Sequence, residues 1–200
     1  MKEQKFLKDD YEVPSSQHNY TKLAQGENRL RILGAPIVGQ EGWKTGSNGE
    51  RVVERWPQDE KRPTTEYDNG RPKHFWALPC WNYNEKCIQA WVFTQATIQK
   101  ALRDLSRSKD WGAPYDYDII ITRSGENMET SYSVMPAPKS SIAKEIQEAL
   151  IMKPINLNAL YDGEDPFEVN ENQAAEEDPF ESPPEQVWCN PLPTEVNIPD

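Results

Sequence analysis

The sequence predicts a mainly β domain: a small antiparallel barrel with one inserted helix, a short second helix and a disordered acidic C-terminal tail. Three observations support this class. Strand-like runs recur between residues 27 and 136, one amphipathic helical segment precedes the last pair of them, and acidic residues concentrate at the C-terminus. Several antiparallel strands with one helix before the last pair match the Greek-key barrel known as the OB-fold.

The first strand is predicted at residues 27–33, ENRLRIL, where apolar and polar residues alternate. Leu30 and Ile32 then face one side, while Arg29 and Arg31 face the other, as in a half-buried strand with two cations on one face. The polar segment before it, residues 1–26, is interpreted as a flexible N-terminal arm. Residues 39–72 are rich in Gly, Asn, Pro and charge, which indicates long flexible loops around one short strand at 51–55.

The strongest hairpin signal is formed by KHFWALPCW (73–81) and KCIQAWVF (86–93), which flank a polar NYNE. A two-residue turn at Tyr83-Asn84 would pair Cys80 with Cys87, and a slip of one residue would exchange the two faces. One face is small, aliphatic and suited to a core: Phe75, Ala77, Ile88, Ala90 and Val92. The other face is bulky, aromatic and partly polar: His74, Trp76, Gln89, Trp91 and Phe93.

A helix follows this hairpin. Thr94 is its predicted N-cap, and Ile98, Leu102 and Leu105 recur at helical spacing in residues 95–109. WGAP (111–114) ends the helix, and a second hairpin turns near residues 124–127. Residues 141–150 predict a short amphipathic helix, which gives domain boundaries at 27–153 for the barrel and 154–200 for the tail.

Catalytic motifs are absent from the sequence. His18 and His74 are the only histidines, neither stands in a nucleophile motif, and no phosphate-binding glycine loop occurs. His74, Cys80 and Cys87 could supply three zinc ligands, but no C-x-x-C pair accompanies them, and two small thiols also pack well in a core. We therefore expect a protein that is not an enzyme and holds no metal or cofactor.

The three cysteines and the N-terminal residues bear on location. No run approaches the length of a transmembrane segment, and MKEQKFLKDD lacks the apolar core of a signal peptide. Three cysteines without an export signal are typical of reduced thiols. The sequence therefore predicts a cytoplasmic protein with no membrane partner.

Aromatic residues mixed with cations supply the positive functional signal. Bases stack on aromatic rings while Lys and Arg follow phosphates, so this mixture favours a groove for single-stranded nucleic acid. The rings expected to stack are Trp76 and Trp91, with Trp43, Trp56 and Tyr67 on the loops as second choices. The cations expected at phosphates are Arg29, Arg31, Arg51, Arg55, Lys61, Arg62, Arg71 and Lys73. The alternative for Trp76 and Trp91 is that they fill the barrel.

Charge is segregated along the chain. All 22 Lys and Arg lie in residues 2–153 against 21 Asp and Glu, whereas residues 154–200 hold 12 acidic residues and no Lys or Arg. Within this tail Glu-Asp-Pro-Phe occurs twice. A tethered polyanion can compete for a cationic groove, and the motifs could dock other proteins through Asp165, Phe167, Asp178 and Phe180. A purely solubilising tail is the alternative.

Three segments carry a resemblance to a known family: GENRLRIL, KHFWALPCWNYNEKCIQAWVFTQATIQKAL and DWGAPYDYDIIITRSGENMETSYSVMPAP. They resemble the OB-fold single-stranded DNA-binding proteins of tailed bacteriophages, over residues 10–160 and an acidic DGEDPF element. The resemblance implies a protein that coats and protects single-stranded DNA in phage replication, recombination and repair, and recruits replication proteins through its tail.

Two features of the family are missing. The C-x-x-C zinc site of T-even-type members is absent, so no metal is expected. Their basic N-terminal motif, which serves cooperative binding, has only Lys2, Lys5 and Lys8 as counterparts, so self-association on DNA is left open. The alternative function is a protein-interaction adaptor whose barrel binds no nucleic acid and whose Glu-Asp-Pro-Phe repeats recruit partners. RNA binding would use the same stacking.

Overall fold

The computed structural model describes residues 19–62, 67 and 70–168. Asp178 and Phe180 lie outside the described residues, as do the first part of the predicted arm and the distal part of the predicted tail. Among the described residues no helix is long and apolar enough to cross a membrane.

Seven antiparallel strands of the described chain form one open, barrel-like sheet in the order β3-β2-β4-β1-β6-β7, with β5 on the other edge of β4. Three helices accompany it, and α1 lies between the long hairpin and the last strand pair, so the predicted class is confirmed. The strands are β1 (Gly26–Ile32), β2 (Ile37–Thr45), β3 (Arg51–Pro57), β4 (Lys73–Asn82), β5 (Cys87–Phe93), β6 (Asp118–Ser124) and β7 (Ser131–Pro136). The helices are α1 (Ala96–Arg107), α2 (Lys144–Met152) and α3 (Ala159–Asp162).

Strand β4 joins the two parts of the sheet. Along one edge its first half pairs with β2, from Ala77 opposite Ile37 to Lys73 opposite Glu41, and its end pairs with β1, with Cys80 opposite Ile32. Its other edge pairs with β5. The β2–β3 hairpin therefore extends the sheet beyond the part that encloses the core.

The turn between β4 and β5 is longer than predicted. Asn82 pairs with Cys87 and Cys80 pairs with Gln89, so residues 83–86 form the turn and the register shifts by two residues. The Asn84 N–H donates to Asn82 Oδ1 at 2.9 Å, and Lys86 takes up the left-handed turn conformation at φ 51°. Because the shift is even, each side chain keeps its predicted face.

The bulky face of the β4–β5 hairpin fills the main core, which the prediction had assigned to base stacking. Leu78, Trp91 and Phe93 pack there with the buried side chains of β1, α1 and β6. The rings of Trp91 and Phe93 are stacked with centroids 4.2 Å apart. Trp91 is only 1% exposed, so it cannot present a face to a nucleic-acid base.

The small face of the same hairpin is covered by the segment after β7. Trp81 and Ile88 pack against Ile146 of α2, and a neighbouring cluster joins Phe75, Ala77 and Ala90 to the buried Leu157 and Leu160. The hairpin is thus buried on both faces, and two apolar layers contribute to its stability.

Both domain boundaries differ from the prediction. Residues 154–168 belong to the packed domain, because Leu157 and Leu160 insert apolar side chains into an otherwise polar segment. At the other end, Tyr20 forms a bridge with Ala90, and the buried Thr21 hydroxyl donates to Gln89 Oε1 at 3.0 Å. Residues 19–25 therefore contribute to the domain as well.

Strand β2 is the element that the sequence prediction missed. Its two glycines, typical of a loop, are sites of close approach. A Cβ at Gly39 would overlap the carbonyl of Trp56, and a Cβ at Gly42 would overlap the ring of Tyr67. Glycine inside a strand often marks such an approach of a neighbouring group. A smaller difference concerns α1, whose N-cap is Gln95 rather than Thr94.

Candidate nucleic-acid interface

An open cleft of about 570 Å³ lies on the β2–β3 hairpin and the residues that follow it. Four of the predicted site residues line this cleft: Trp56, Lys61, Arg62 and Arg71. All four come from residues 39–72, which the sequence predicted to be long loops around one short strand. The remaining lining residues are Gln40, Gln58, Glu60 and Pro72. Three cations against one carboxylate give the lining a positive charge.

Trp56 forms the apolar floor of this cleft. Its indole is stacked on the Tyr67 ring at 5.1 Å and 18°, and the Arg62 guanidinium lies 5.8 Å from the indole centroid. Only 2% of Trp56 and 5% of Tyr67 are exposed. These two rings stack on each other, so in this state neither offers the open face that the loop prediction assumed.

Glu54 connects the cations next to the floor. Its carboxylate accepts hydrogen bonds from Arg62 Nη1 at 2.7 Å and from the Tyr67 hydroxyl at 3.0 Å, and lies 3.1 Å from Lys44 Nζ. Burial acts to raise the pKa of Glu54, but the hydrogen bonds from Lys44 and Tyr67 and the charges of Lys44 and Arg62 outweigh it, so the pKa is lowered. The Glu54 carboxylate thus neutralises Lys44 and Arg62, and a bound phosphate would have to compete with it for them.

Trp76 lies on the same face of the sheet as the cleft. In the ladder between β2 and β4, His74 is opposite Gln40 and Trp76 is opposite Val38. The Trp76 indole N–H donates to His74 Nε2 at 3.0 Å. Trp76 is partly buried, against a Phe93 ring centroid 6.2 Å away, which leaves part of one ring accessible beside the cleft.

The opposite face of the β2–β3 hairpin carries a second group of predicted residues. Strand alternation and the ladder with β2 place Trp43, Arg51, Arg55 and Lys73 there, away from Trp56. The Arg51 guanidinium lies 5.5 Å from the Trp43 ring centroid, whereas Arg55 is paired with Glu41 at 3.1 Å. The structure therefore does not bring these cations to the cleft.

The cations of β1 have structural partners. Arg31, 1% exposed, lies 3.1 Å from the buried Asp118 and donates to the Ser140 carbonyl. Arg29 donates to the same Asp118 carboxylate at 2.7 Å, and its guanidinium lies over the Tyr83 ring. The phosphate role predicted for Arg31 is wrong, because its charge is buried and neutralised.

The predicted partner-binding residues of the first repeat are packed on the domain. Phe167 contacts the clusters beneath the small face of the β4–β5 hairpin. Asp165 Oδ1 accepts the Phe167 N–H at 3.0 Å.

The residues that the sequence interpretation missed follow from the missed strand. Gln40 lines the cleft and Lys44 pairs with Glu54, and the alternation in IVGQEGWKT was the signal for both. Glu54 in β3 and Gln58 just after it were also missed, and no local pattern singles them out. In the described part of the chain, no three His, Cys, Asp or Glu residues are grouped to hold a metal ion.

Comparison of the chain with protein-family models, with curated proteins and with solved structures finds no match.

Proposed function

We propose that this protein binds single-stranded DNA without catalysing a reaction, and that the strand runs along the cleft of the β2–β3 hairpin. The observation that carries the proposal is the convergence of Lys61, Arg62 and Arg71 around the indole of Trp56. Single-strand sites combine a positively charged groove with aromatic rings beside it, and Trp76 on the same face supplies a ring at the edge of this one.

The electrostatics support an exchange of anions. Lys61 and Arg71 are both exposed, so a phosphate can reach them, and neither makes an ion pair with another described residue. Arg62 is paired with Glu54 at 2.7 Å and with Glu60 at 2.8 Å, and it is 35% exposed. Exposed pairs of this kind contribute about 0–1 kcal/mol, so a phosphate can replace one carboxylate at small cost.

The biological role follows from the family resemblance of the sequence. It supports a protein that coats single-stranded DNA during phage replication, recombination and repair in the cytoplasm of the host. In this role the acidic residues beyond the domain recruit replication proteins, and the cleft holds the strand.

Binding is tested by titrating the full chain with oligo(dT) at several salt concentrations, with tryptophan fluorescence as the readout. Replacing both Lys61 and Arg71 by Ala should lower the affinity by about tenfold or more and reduce the salt slope by about 1.4, since each phosphate contact on a single strand contributes about 0.7. The matched control replaces Lys100 and Lys109 by Ala, which removes the same charge from exposed positions elsewhere.

Equal losses in the two double variants would place the strand outside the cleft. If the wild-type protein bound neither oligo(dT) nor oligo(rU) at low salt, nucleic-acid binding itself would be excluded. Tighter binding to oligo(rU) than to oligo(dT) would identify RNA as the ligand, because only RNA offers the 2′-hydroxyl.

A further inference from the structure

The Glu-Asp-Pro-Phe-Glu segment of residues 164–168 occupies a pocket on the face of the domain that α2 and α3 cover. The Phe167 ring packs against two apolar clusters, one containing Ala90 and Leu160 and the other containing Trp81 and Ile88. The Lys153 ammonium lies 4.3 Å from the Phe167 ring centroid. A cation over an aromatic face is a favourable addition to such an apolar contact.

The pocket is assembled from three parts of the chain. Lys153 Nζ donates to the Ile88 carbonyl at 3.2 Å and to Asn19 Oδ1 at 3.0 Å, which fixes the ammonium above the ring. Asn19 Nδ2 also donates to Asp165 Oδ2 at 3.5 Å. The peptide is thus recognised through its carboxylate and its aromatic ring by side chains that are held in place without it.

The backbone of the segment is recognised as well. The Asn156 N–H donates to the carbonyl of the buried Pro166 at 2.8 Å. Within the segment, Asp165 Oδ1 accepts the Phe167 N–H at 3.0 Å, and the Asp165 carbonyl accepts the Glu168 N–H at 3.1 Å. Asp at the first and Pro at the second position favour such a turn, so the five residues themselves encode the shape that fits.

The same five residues, Glu-Asp-Pro-Phe-Glu, recur at 177–181. Every side chain that the pocket recognises is therefore present a second time in each molecule, in the residue order that encodes the turn. A second copy of the pentapeptide can form the same hydrogen bonds and the same ring packing as the first, so the interactions at the pocket are equally favourable for either copy.

We propose that this pocket is a binding site for acidic Asp-Pro-Phe peptides, and that residues 164–168 exchange there with residues 177–181 of a second molecule of this chain. Because the two pentapeptides are identical, the extent of exchange depends on the concentration of the second molecule relative to the effective concentration of the tethered residues 164–168. Neither the pocket nor its ligand depends on nucleic-acid binding, since the cleft lies on a different part of the sheet.

Peptide recognition is tested by NMR on the labelled full chain with an unlabelled peptide of residues 174–184. Phe167→Ala should bind this peptide at least tenfold more tightly than the wild type, whose own Phe167 competes. The amide signals of Ile88 and Lys153 should shift, and a peptide with Ala in place of its Phe should not bind. Equal affinities of Phe167→Ala and the wild type for the peptide would overturn the pocket assignment.

Phe167→Leu serves if Phe167→Ala fails to fold, because it keeps most of the apolar volume while losing the ring that faces Lys153. It should still bind the peptide more tightly than the wild type.

A second experiment tests the source of the ligand: Phe180→benzoylphenylalanine in the full chain is mixed with ¹⁵N-labelled protein, irradiated and analysed by mass spectrometry. Cross-links from light chains to the Ile88 or Lys153 peptides of heavy chains are expected. Their absence at millimolar protein would overturn a second molecule as the source.

Discussion

The Tyr67 ring lies against the backbone of Gly42, at a distance that leaves no room for a Cβ atom on that residue. Tyr67 in turn stacks on Trp56, the floor of the cleft, and its hydroxyl donates to Glu54. Because Gly42 has no side chain, Tyr67 can lie where it contacts both Trp56 and Glu54. The glycine serves packing here, and the strand continues through it.

Replacing Trp91 by Ala should destabilise the domain by about 3–5 kcal/mol, as is usual when a large buried ring is removed from a core. Urea unfolding followed by circular dichroism measures this loss. Trp43→Ala is the control, because Trp43 is half-buried and its contact with Arg51 contributes only about 1 kcal/mol. A smaller loss for Trp91→Ala than for Trp43→Ala would contradict the placement of Trp91 in the core.

Glu54→Gln should tighten binding to oligo(dT) by about threefold to tenfold, which corresponds to about 0.7–1.4 kcal/mol. The substitution removes the anion that holds Lys44 and Arg62 while leaving an oxygen that can accept a hydrogen bond from the Tyr67 hydroxyl. Fluorescence titration at constant salt measures the change.

The matched control for this prediction is Glu126→Gln, which removes one charge from an exposed position in the turn between β6 and β7. It should change the affinity little, since exposed charges farther apart than about one Debye length are screened. Weaker binding by Glu54→Gln than by Glu126→Gln would show that Glu54 supports the site instead of competing with the strand.

The buried thiol of Cys80 should make stability fall at alkaline pH. Burial raises the pKa of Cys80 to about 12, against 9.0 in the unfolded chain, and the Thr21 hydrogen bond offsets only part of this effect. The thiol's contribution to the free energy of unfolding is complete below pH 9. It is lost as the pH rises from 9 towards 12, because the thiol of the unfolded chain ionises at lower pH than the buried one. Linkage gives a loss of about 1 kcal/mol between pH 9 and pH 10.

The Cys80→Ala variant isolates this effect, because buried tyrosines such as Tyr117 also have a raised pKa through burial and titrate in the same direction. Urea unfolding of both proteins at pH 8, 9 and 10 gives the difference in free energy of unfolding at each pH. That difference should shrink as the pH rises. A constant difference would mean that the thiol is not desolvated in the folded protein.

Local patterns in the sequence were sufficient for much of the fold. Alternation predicted β1 and the composition of both faces of the β4–β5 hairpin, and helical spacing predicted the helix before the last strand pair. Alternation could not show that the bulky face of this hairpin points into the main core. The small face looks equally suited to a core, and it is in fact covered by α2, α3 and Phe167, which come much later in the chain. Leu157, Leu160 and Phe167 stand among Asn, Asp and Glu, and composition alone assigned them to a disordered tail.

The candidate site was predictable only in part. Lys61, Arg62 and Arg71 were identified as cations beside Trp56, which local composition indicates. The burial of Arg31 was not predictable, since it depends on Asp118, which lies on a strand paired with β1 from much later in the chain. Pairing between distant strands decides which charges are neutralised, and no local pattern records it.

The cover over the small face of the β4–β5 hairpin also sets the order in which the protein can mature on the ribosome. Domains fold as units while synthesis proceeds from the N-terminus. The β4–β5 hairpin emerges before its cover, with one apolar face exposed, and β1 can pair with β4 but its second edge stays open until β6 has been made. The nascent chain can therefore complete this cover only after Phe167 has left the exit tunnel.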